Sequence, residues 1–493
     1  MHEIITISVS HRANHLATQF FNTQEQYLYL KNDNPVQSSV FLNPTIDRLS
    51  KTVSYSPRAL LWDAKTGTGS LGVHQYSQIE EDYYEFDKED VKRNKSVKDN
   101  SIIFTHPRIP KSEYQSALDT GLTLPSLTPQ LAKYWSDYSK LIYHPTSFNT
   151  LKDWYHDTEQ PNKPDFQNLG ERKFDDYNIG YTEFKESYSM DFFDNNLHYQ
   201  LEACDTLQGF NLVTDFDNAW GGFSSSLLVE LKDELPKSSI FTYGFNEDDP
   251  FTLAKDTLSL RLTPSMIPRV HNKIRATMTL SEESDLLFPL YVDSKLSNWE
   301  NAGFSNRIFD SINSIFCQNN ATQRKSMEYL STLLKNDGEN DRNIISKIID
   351  YNNIDNQKTD HSYQSKILPY KNSPKDYHEF SKCLIERALY NKSEKKEENA
   401  ESIMSKFNTV YTYPYNVTDT IPTALVKDRA KDEFELKLSM DEYSRNIYLY
   451  WSEMVSKYFK NDPDREDLKD QLANKASAYE YGWYDDEDSG DDY

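Results

Sequence analysis

A strand, a short loop and a helix follow one another between residues 209 and 235, an arrangement that can bind phosphate. The first N–H groups of a helix and its dipole both favour an anion. The connecting loop, DFDNAWGGF, offers Gly221 and Gly222 but carries Asp217 and Trp220 where a phosphate cradle needs glycine. The loop is therefore either an anion site or the remains of one.

Three further patterns could support chemistry. His11 and His15 are four residues apart at a helix start, a spacing that can bind zinc, but Arg12 stands where zinc proteases have glutamate and no third ligand is near in the sequence. We assign the pair to packing and predict no metal site. The segment GGFSSSL lacks the second glycine of a nucleophile elbow, and helix capping explains its serines. A glycine-rich loop could cradle phosphate, although a flexible turn is the simpler interpretation: Gly67, Gly69 and Gly72.

Several predicted elements would position these residues. Residues 4–9 and 58–64 have the apolar character of buried strands, and the run NHLATQFFNTQEQYLYL between them predicts a helix. Leucines of LLVELKDEL form a stripe that we assign to burial against a sheet. Alternation of strands and helices predicts a three-layer α/β domain with a largely parallel sheet.

Other segments also have helical periodicity. These are LTPQLAKYWSDYSKLIY, a face from Leu197 to Leu207 that Gly209 would end, RIFDSINSIFC, ISKIIDYNNI and DEYSRNIYLYWSEMVSKYFK. A strongly charged stretch near 75–100 has too little apolar surface to order itself and is predicted to be a solvated insertion.

The predicted domains follow from these changes in pattern. An α/β domain covers residues 1–250, a smaller α+β domain covers 251–395, a helical region covers 396–478, and an acidic, disordered tail covers 479–493. The tail either solvates the terminus or binds a partner.

Composition narrows the classes of function. The net charge of −24 disfavours binding to nucleic acid or to anionic membranes, which requires basic patches. Three scattered cysteines do not make a disulfide framework or a zinc cluster, so a reducing compartment is expected. No apolar run is long enough to span a bilayer, and the first residues resemble neither a signal peptide nor a transit helix.

The order of several short motifs resembles that of the tubulin superfamily. They are MHEIITISVSHRANHLATQFFN at the start, PRALLWD at 57–63, YHP at 143–145, YNIG at 177–180, and LQGF followed by a strand, a loop and SSLL. Individually these motifs are weak, but their order extends over about 245 residues. Together with the acidic tail, the sequence most resembles the Misato family of tubulin-like proteins, in its fungal branch linked to mitochondrial DNA inheritance.

The resemblance identifies the residues that would contact a nucleotide if binding were retained. The tubulin glycine loop Gly-Gly-Gly-Thr-Gly-Ser-Gly aligns without gaps with residues 217–223, and Lys65 stands where an acidic residue helps to hold Mg²⁺. An Asn-x-Asp match at Asn353–Asp355 is assigned to chance, so no catalytic residue is predicted. The candidate nucleotide contacts are Ser10, His11, Arg12, Asn14, Asp63, Gly67, Gly221 and Gly222.

Three functions follow from these observations. The first is a tubulin-like, non-catalytic protein that supports mitochondrial partitioning and mitochondrial DNA inheritance through protein partners, with no cofactor and no direct contact with nucleic acid. It would act on the cytosolic face of mitochondria, with a cytoplasmic pool. The second is a divergent GTP-binding protein or GTPase, and the third is an adaptor for tubulin or its folding machinery. Loss of the loop glycines and the position of Lys65 predict that GTP does not drive filament assembly.

Overall fold

The computed structural model describes most of the 493-residue chain. The described ranges are 2–30, 34–46, 51–71, 109–247, 263–335, 342–352, 364–366, 378–388, 408–422, 431–460 and 462–481. The charged stretch near 75–100, Gly72, the Asn353–Asp355 match and tail residues 482–493 lie outside them.

An eight-stranded sheet organises the first part of the chain, in the order β10-β9-β8-β1-β4-β5-β6-β7. Its strands from β10 to β5 pair in parallel, and β6 and β7 extend one edge antiparallel. Strands β2 and β3 form a separate hairpin. The bounds are β1 Glu3–Val9, β2 Leu42–Ile46, β3 Val53–Pro57, β4 Ala59–Lys65, β5 Phe148–Tyr155, β6 Asp165–Phe166, β7 Leu169–Lys173, β8 Leu207–Asp215, β9 Ser239–Glu247 and β10 Leu286–Val292. The predicted α/β fold with a mostly parallel sheet is confirmed.

Helices cover the sheet in two groups. Helix α1 packs with α8, and α6 packs with α3 and α7. The bounds are α1 His11–Leu28, α2 Glu113–Thr120, α3 Tyr177–Ser187, α4 Ser189–Asp191, α5 His198–Glu202, α6 Ala219–Glu234, α7 Ile267–Glu283, α8 Asn298–Ser314, α9 Met327–Lys335, α10 Tyr443–Tyr458 and α11 Arg465–Ala478. Within the described ranges, no helix has both the length and the apolar character that a bilayer span needs.

A second, five-stranded sheet with order β12-β11-β17-β13-β14 follows, and a short pair, β15 and β16, lies beside it. The bounds are β11 Lys347–Asn352, β12 Gln364–Lys366, β13 Glu379–Arg387, β14 Asn408–Thr412, β15 Tyr415–Asn416, β16 Lys431–Asp432 and β17 Phe434–Asp441. Helices α10 and α11 pack on each other after this sheet. The smaller domain and the C-terminal helices are therefore present, as predicted.

The structure corrects the predicted limits of these regions. Strand β10 belongs to the first sheet, so the α/β unit continues beyond residue 250. The range 396–478 is not wholly helical, because β14 and β17 lie in it and pair with β13. Tyr479, placed in the tail by sequence, is fully buried and donates a hydrogen bond to the Ile344 carbonyl.

Four local predictions were wrong. The segment 127–143 is irregular apart from a 3₁₀ turn at Trp135–Tyr138. The segment ISKIIDYNNI supplies β11, because it pairs with β17 instead of forming a helix. The helix predicted to reach Leu207 ends with α5, and Gly209 lies inside β8. The serines 224–226 lie within α6, which Asn218 caps through a hydrogen bond from the Trp220 N–H.

Helix α1 is buried around almost its whole circumference, since α8 covers the side that faces away from the sheet. Its polar residues therefore need internal partners. The Gln19 amide donates to the Thr420 carbonyl at 2.9 Å, and Trp299 of α8 donates to the same carbonyl at 2.8 Å. Tyr27, at the other end of α1, accepts a hydrogen bond from Arg387 at 3.1 Å. The N-terminal helix is thus completed by residues from the far end of the chain.

Candidate functional site at the carboxyl edge of the sheet

The carboxyl ends of five neighbouring parallel strands meet at one edge of the sheet, where ligands bind in most open α/β sheets. Strand β1 is followed by Ser10 and α1, β4 contains Asp63, and His156 follows β5. On the other side of β1, β8 ends at Asp215 and β9 ends at Glu247. This edge contains two polar groups, one around Asp63 and one around Arg12.

Ser10 and Asn14 connect β1 to its neighbours. Ser10 has a φ of 136°, a backbone conformation that favours glycine, and its hydroxyl accepts the Ala13 N–H at the start of α1. The Asn14 amide donates to the Trp62 carbonyl and to the Asp63 carboxylate, while its oxygen accepts from Ser8. Both side chains are buried, and the hydrogen bonds that they make are to groups of the same chain.

Asp63 is held by donors from three directions. Its Oδ2 accepts from Trp135 Nε1 at 2.8 Å and lies 3.0 Å from His11 Nδ1. Its Oδ1 accepts the Ala64 N–H at 2.8 Å. Gly67 leaves room for this carboxylate, since a Cβ there would lie 2.2 Å from Asp63 Oδ1. The lack of a side chain at Gly67 is therefore required for the position of the Asp63 carboxylate.

His11 and His156 lie beside this carboxylate, His15 lies against His11, and burial tends to lower the pKa of all three. For His11 the nearby Asp63 carboxylate outweighs burial, so its pKa is raised. Burial and the neighbouring His11 lower the pKa of His15 far below its usual value and that of His156 to about 3. His11 Nε2 also lies 3.3 Å from the Lys133 carbonyl, so both of its ring nitrogens face acceptors.

The second group is a set of ion pairs around Arg12, which we call the Arg12 cluster: Arg12, Asp215, Asp217, Glu247 and Arg269. Arg12 lies 2.8 Å from Glu247 Oε1 and 3.8 Å from Asp215. Arg269 of α7 lies 3.2 Å from Asp217 and 3.0 Å from Glu247. Arg12 and both aspartates are buried. Arg12, which the sequence analysis predicted as a nucleotide contact, is therefore neutralised by carboxylates of the same chain.

The pKa values of the two buried aspartates are shifted in opposite directions. Burial raises the pKa of Asp215 to about 6, against the opposing effect of Arg12. Burial also acts on Asp217, but Arg12 and Arg269 together hold its pKa below the usual value. The cluster has three carboxyls and two guanidinium groups, so one carboxyl is poorly compensated, and this carboxyl is Asp215.

Stability should therefore depend on pH through Asp215. Its folded pKa exceeds that of an unfolded aspartate, about 3.9, so ionisation costs the folded state stability as the pH rises from about 4 through 6. The charged groups that act on Asp215 or on the neighbouring Asp217 are Arg12, Glu247, Arg269 and Lys273. Relative to wild type, Asp215→Asn should gain about 2 to 3 kcal/mol of stability between pH 4 and pH 7.

Thermal midpoints of both proteins at pH 4.5 and pH 7.5 measure this difference. Asp119→Asn, which alters an exposed carboxylate paired with Lys111, is the matched control and should show no comparable trend. A difference between Asp215→Asn and wild type that is the same at both pH values would contradict the assignment.

The loop that aligns with tubulin's phosphate loop is used for packing. Its Trp220 and Gly221 N–H groups donate to the side chain and carbonyl of Asn218. A Cβ on Gly221 would lie 2.8 Å from Ala276, and one on Gly222 would lie 1.9 Å from the Tyr177 carbonyl oxygen. Trp220 is fully buried among aromatic rings, including Phe174 at 5.0 Å. The glycines let α6 approach α3 and α7.

Among the residues that the structure describes, the Arg12 cluster borders only a small cleft. The cleft beside Asp217, Glu247 and Arg269 has a volume of about 20 Å³, room for roughly one water molecule. Lys65 donates to the Tyr155 hydroxyl at 3.2 Å, so its charge lies at the edge where a magnesium ion would need an acid. A larger cavity of about 490 Å³ is lined by other residues, among them Ser70, Lys111 and Lys140.

The structure thus divides the eight predicted contacts into separate roles. His11, Asn14, Asp63 and Gly67 belong to the Asp63 group, Ser10 caps α1, Arg12 belongs to its own cluster, and Gly221 and Gly222 pack α6. Sequence reasoning did not identify His156, Glu247 or Arg269. The available signal was position, because His156 and Glu247 stand at the ends of strands that share this edge.

Together, the mostly parallel sheet, the two groups of helices and the loops at the carboxyl edge define a tubulin-like protein. A family model described as a tubulin domain matches residues 124–315, and one described as the Misato Segment II tubulin-like domain matches residues 2–120.

Full-length relatives assign the family. The chain is 48% identical to Protein DML1 of Kluyveromyces lactis over 99% of both chains, and 41% identical to Protein DML1 of Eremothecium gossypii over all of both. Protein DML1 of Yarrowia lipolytica is 27% identical, again over the full length of both. The chain belongs to the Misato/DML1 family of tubulin-like proteins, and the predicted family is confirmed.

Proposed function

We propose that this chain is a tubulin-like protein without GTPase activity that supports mitochondrial partitioning and mitochondrial DNA inheritance through protein partners. The process follows from the family that the sequence resembles. The absence of catalysis rests on the carboxyl edge of the sheet. The observation that carries the proposal is the Arg12 cluster. In this cluster, acidic side chains of the chain itself pair with the guanidinium groups that a phosphate would need.

Electrostatics support this reading. Asp217 and Glu247 present carboxylates where a polyphosphate would bring further negative charge, and like charges at close range are unfavourable in a poorly solvated site. Binding would require Arg12 to leave Glu247, which would then lose a partner. The N–H groups of Trp220 and Gly221 would also have to leave Asn218.

Nucleotide binding is the sharpest test of this interpretation of the carboxyl edge, because a chain that binds no GTP cannot hydrolyse it. A ligand that binds only the native state raises its thermal midpoint by an amount that grows with the logarithm of the ligand concentration relative to Kd. We expect no rise with GTP and Mg²⁺, and no sedimenting filaments under the same conditions, with tubulin as the positive control. A saturable rise, guanine nucleotide that co-purifies with the chain, or reversible GTP-dependent filaments would refute this assignment.

The cellular role is tested separately by depletion. Loss of the protein should alter the mitochondrial network and lower the fraction of cells that retain mitochondrial DNA, and the wild-type chain should restore both. Fractionation should recover the protein on the cytosolic face of mitochondria, where protease added from outside degrades it, with a further pool in the cytoplasm. Normal mitochondria and a retained genome after complete depletion would contradict the proposed role.

A further inference from the structure

The Asp63 group contains three ligand-type side chains that converge. One ring nitrogen of His11, one of His156 and a carboxylate oxygen of Asp63 all lie within 4.8 Å of one another. They come from three neighbouring parallel strands, since His11 follows β1, Asp63 lies in β4 and His156 follows β5. The fold therefore holds them together without a contribution from any long loop.

Two details distinguish this group from ordinary packed histidines. Nδ1 of His156 is buried and has no hydrogen-bond partner within the described part of the chain, an unfavourable state for a polar atom. The Asp63 carboxylate, by contrast, is oriented by Trp135, Asn14 and the Ala64 N–H. Outer hydrogen bonds of this kind fix ligand orientation in established metal centres.

We propose that His11, Asp63 and His156 bind a divalent metal ion of intermediate softness, with Zn²⁺ preferred. Two imidazoles and one carboxylate suit zinc and related transition metals, whereas Mg²⁺ prefers oxygen ligands. Three protein ligands leave one position of a tetrahedral set for water or another small ligand. The partly exposed ring of His156 provides the side of entry.

This site differs from the His11/His15 pair considered from sequence. His15 is directed to Tyr138, whose hydroxyl lies 2.7 Å from its Nδ1, and it is not part of the converging group. The metal would also bring positive charge to a buried carboxylate, which stabilises ionised Asp63. The proposal does not depend on the proposed cellular function.

Metal titration of the full chain tests the site. After treatment with EDTA and its removal, the protein should bind one equivalent of Zn²⁺ by calorimetry, and Zn²⁺ should raise its thermal midpoint. Co²⁺ should give visible d–d bands without a thiolate charge-transfer band, because the ligands are nitrogen and oxygen. His156→Ala should weaken Zn²⁺ binding by about 100-fold or more. Losing even a hydrogen-bond partner of a metal ligand typically lowers metal affinity by about 10- to 100-fold, and His156 would be a ligand itself.

The control is His198→Ala, which alters an exposed histidine 3.7 Å from Glu202, a surface pair that could also capture metal. It should leave affinity and stoichiometry unchanged. Thermal midpoints measured in EDTA show whether each variant is folded. If His156→Ala does not fold, the Co²⁺ spectrum of the wild-type chain still tests whether the ligands are nitrogen and oxygen. Absence of Zn²⁺ binding, a thiolate band, or binding that His198→Ala removes and His156→Ala preserves would overturn the proposal.

Discussion

Replacing Arg12 with methionine should destabilise the protein by about 3 to 5 kcal/mol at pH 7, the cost of removing one member of a buried ion pair. Methionine fills much of the same volume, so the loss is mainly electrostatic. Glu247 would lose the guanidinium that lies 2.8 Å from it, and Asp215 would lose the positive charge, 3.8 Å away, that opposes the effect of its burial. The measurement is the midpoint of thermal or denaturant unfolding at pH 7.

The double variant Arg12→Met/Asp215→Asn tests the cause of that loss. It removes the carboxyl that is least well compensated, so it should recover part of the stability lost in the single variant. The deficit of Arg12→Met should also shrink at pH 5, because a carboxyl without its partner can take up a proton. A deficit that is independent of pH and unchanged in the double variant would assign Arg12 to packing alone.

Alanine at Gly222 should prevent α6 from packing against α3. Its Cβ would lie 1.9 Å from the Tyr177 carbonyl oxygen, and because the Cβ position is fixed by the backbone and the oxygen is itself a backbone atom, no side-chain rotation can relieve the clash. Overpacking in cores costs about 1 to 3 kcal/mol and sometimes more, and we expect at least the upper value here. The thermal midpoint and the soluble yield should both fall.

Gly170→Ala is the matched control, because a Cβ there meets nothing within 4 Å. Its midpoint should stay close to that of wild type. If Gly222→Ala were as stable as Gly170→Ala, the close contact between α3 and α6 would be wrong. Gly222 would then again be a candidate phosphate contact. In that case Gly222→Ala should fold but should bind nucleotide more weakly than wild type.

The strands of the parallel sheet were predictable because they are short apolar runs with clear ends. Residues 4–9 and 58–64 were placed to within a residue or so, and α1 was recognised by its apolar spacing. The full burial of α1 was not predictable, since the residues that cover its outer side come from α8 and from Thr420.

The segment 127–143 shows why helical spacing can mislead. Its aromatic residues suggest one face of a helix, yet Trp135 donates to Asp63 and the Tyr138 hydroxyl lies 2.7 Å from His15 Nδ1. The segment is not a regular helix at the positions where Trp135 contacts β4 and Tyr138 contacts α1. Similarly, β11 became a strand because β17 offers an antiparallel partner, which local propensity cannot reveal.

The candidate site was only partly predictable for a related reason. The resemblance to tubulin assigned Arg12, Asp63 and the loop at 217–223 to one nucleotide site, but it could not show which charges neutralise one another. Arg12 and Glu247 are 235 residues apart in the chain, and neither belongs to a recognisable motif with the other. Pairing of this kind becomes visible only when the strand order is known.

The link between Gln19 and Thr420 has a consequence for biosynthesis. The two residues are 401 positions apart, and at about 5 to 20 residues per second α1 leaves the ribosome roughly 20 to 80 s before the carbonyl that completes it. For most of that interval Phe20 lacks its contact with Phe309, and Tyr27 lacks its contact with Tyr413. The growing chain thus presents an incompletely covered aromatic helix for tens of seconds, and we expect general chaperones to bind it before synthesis is complete.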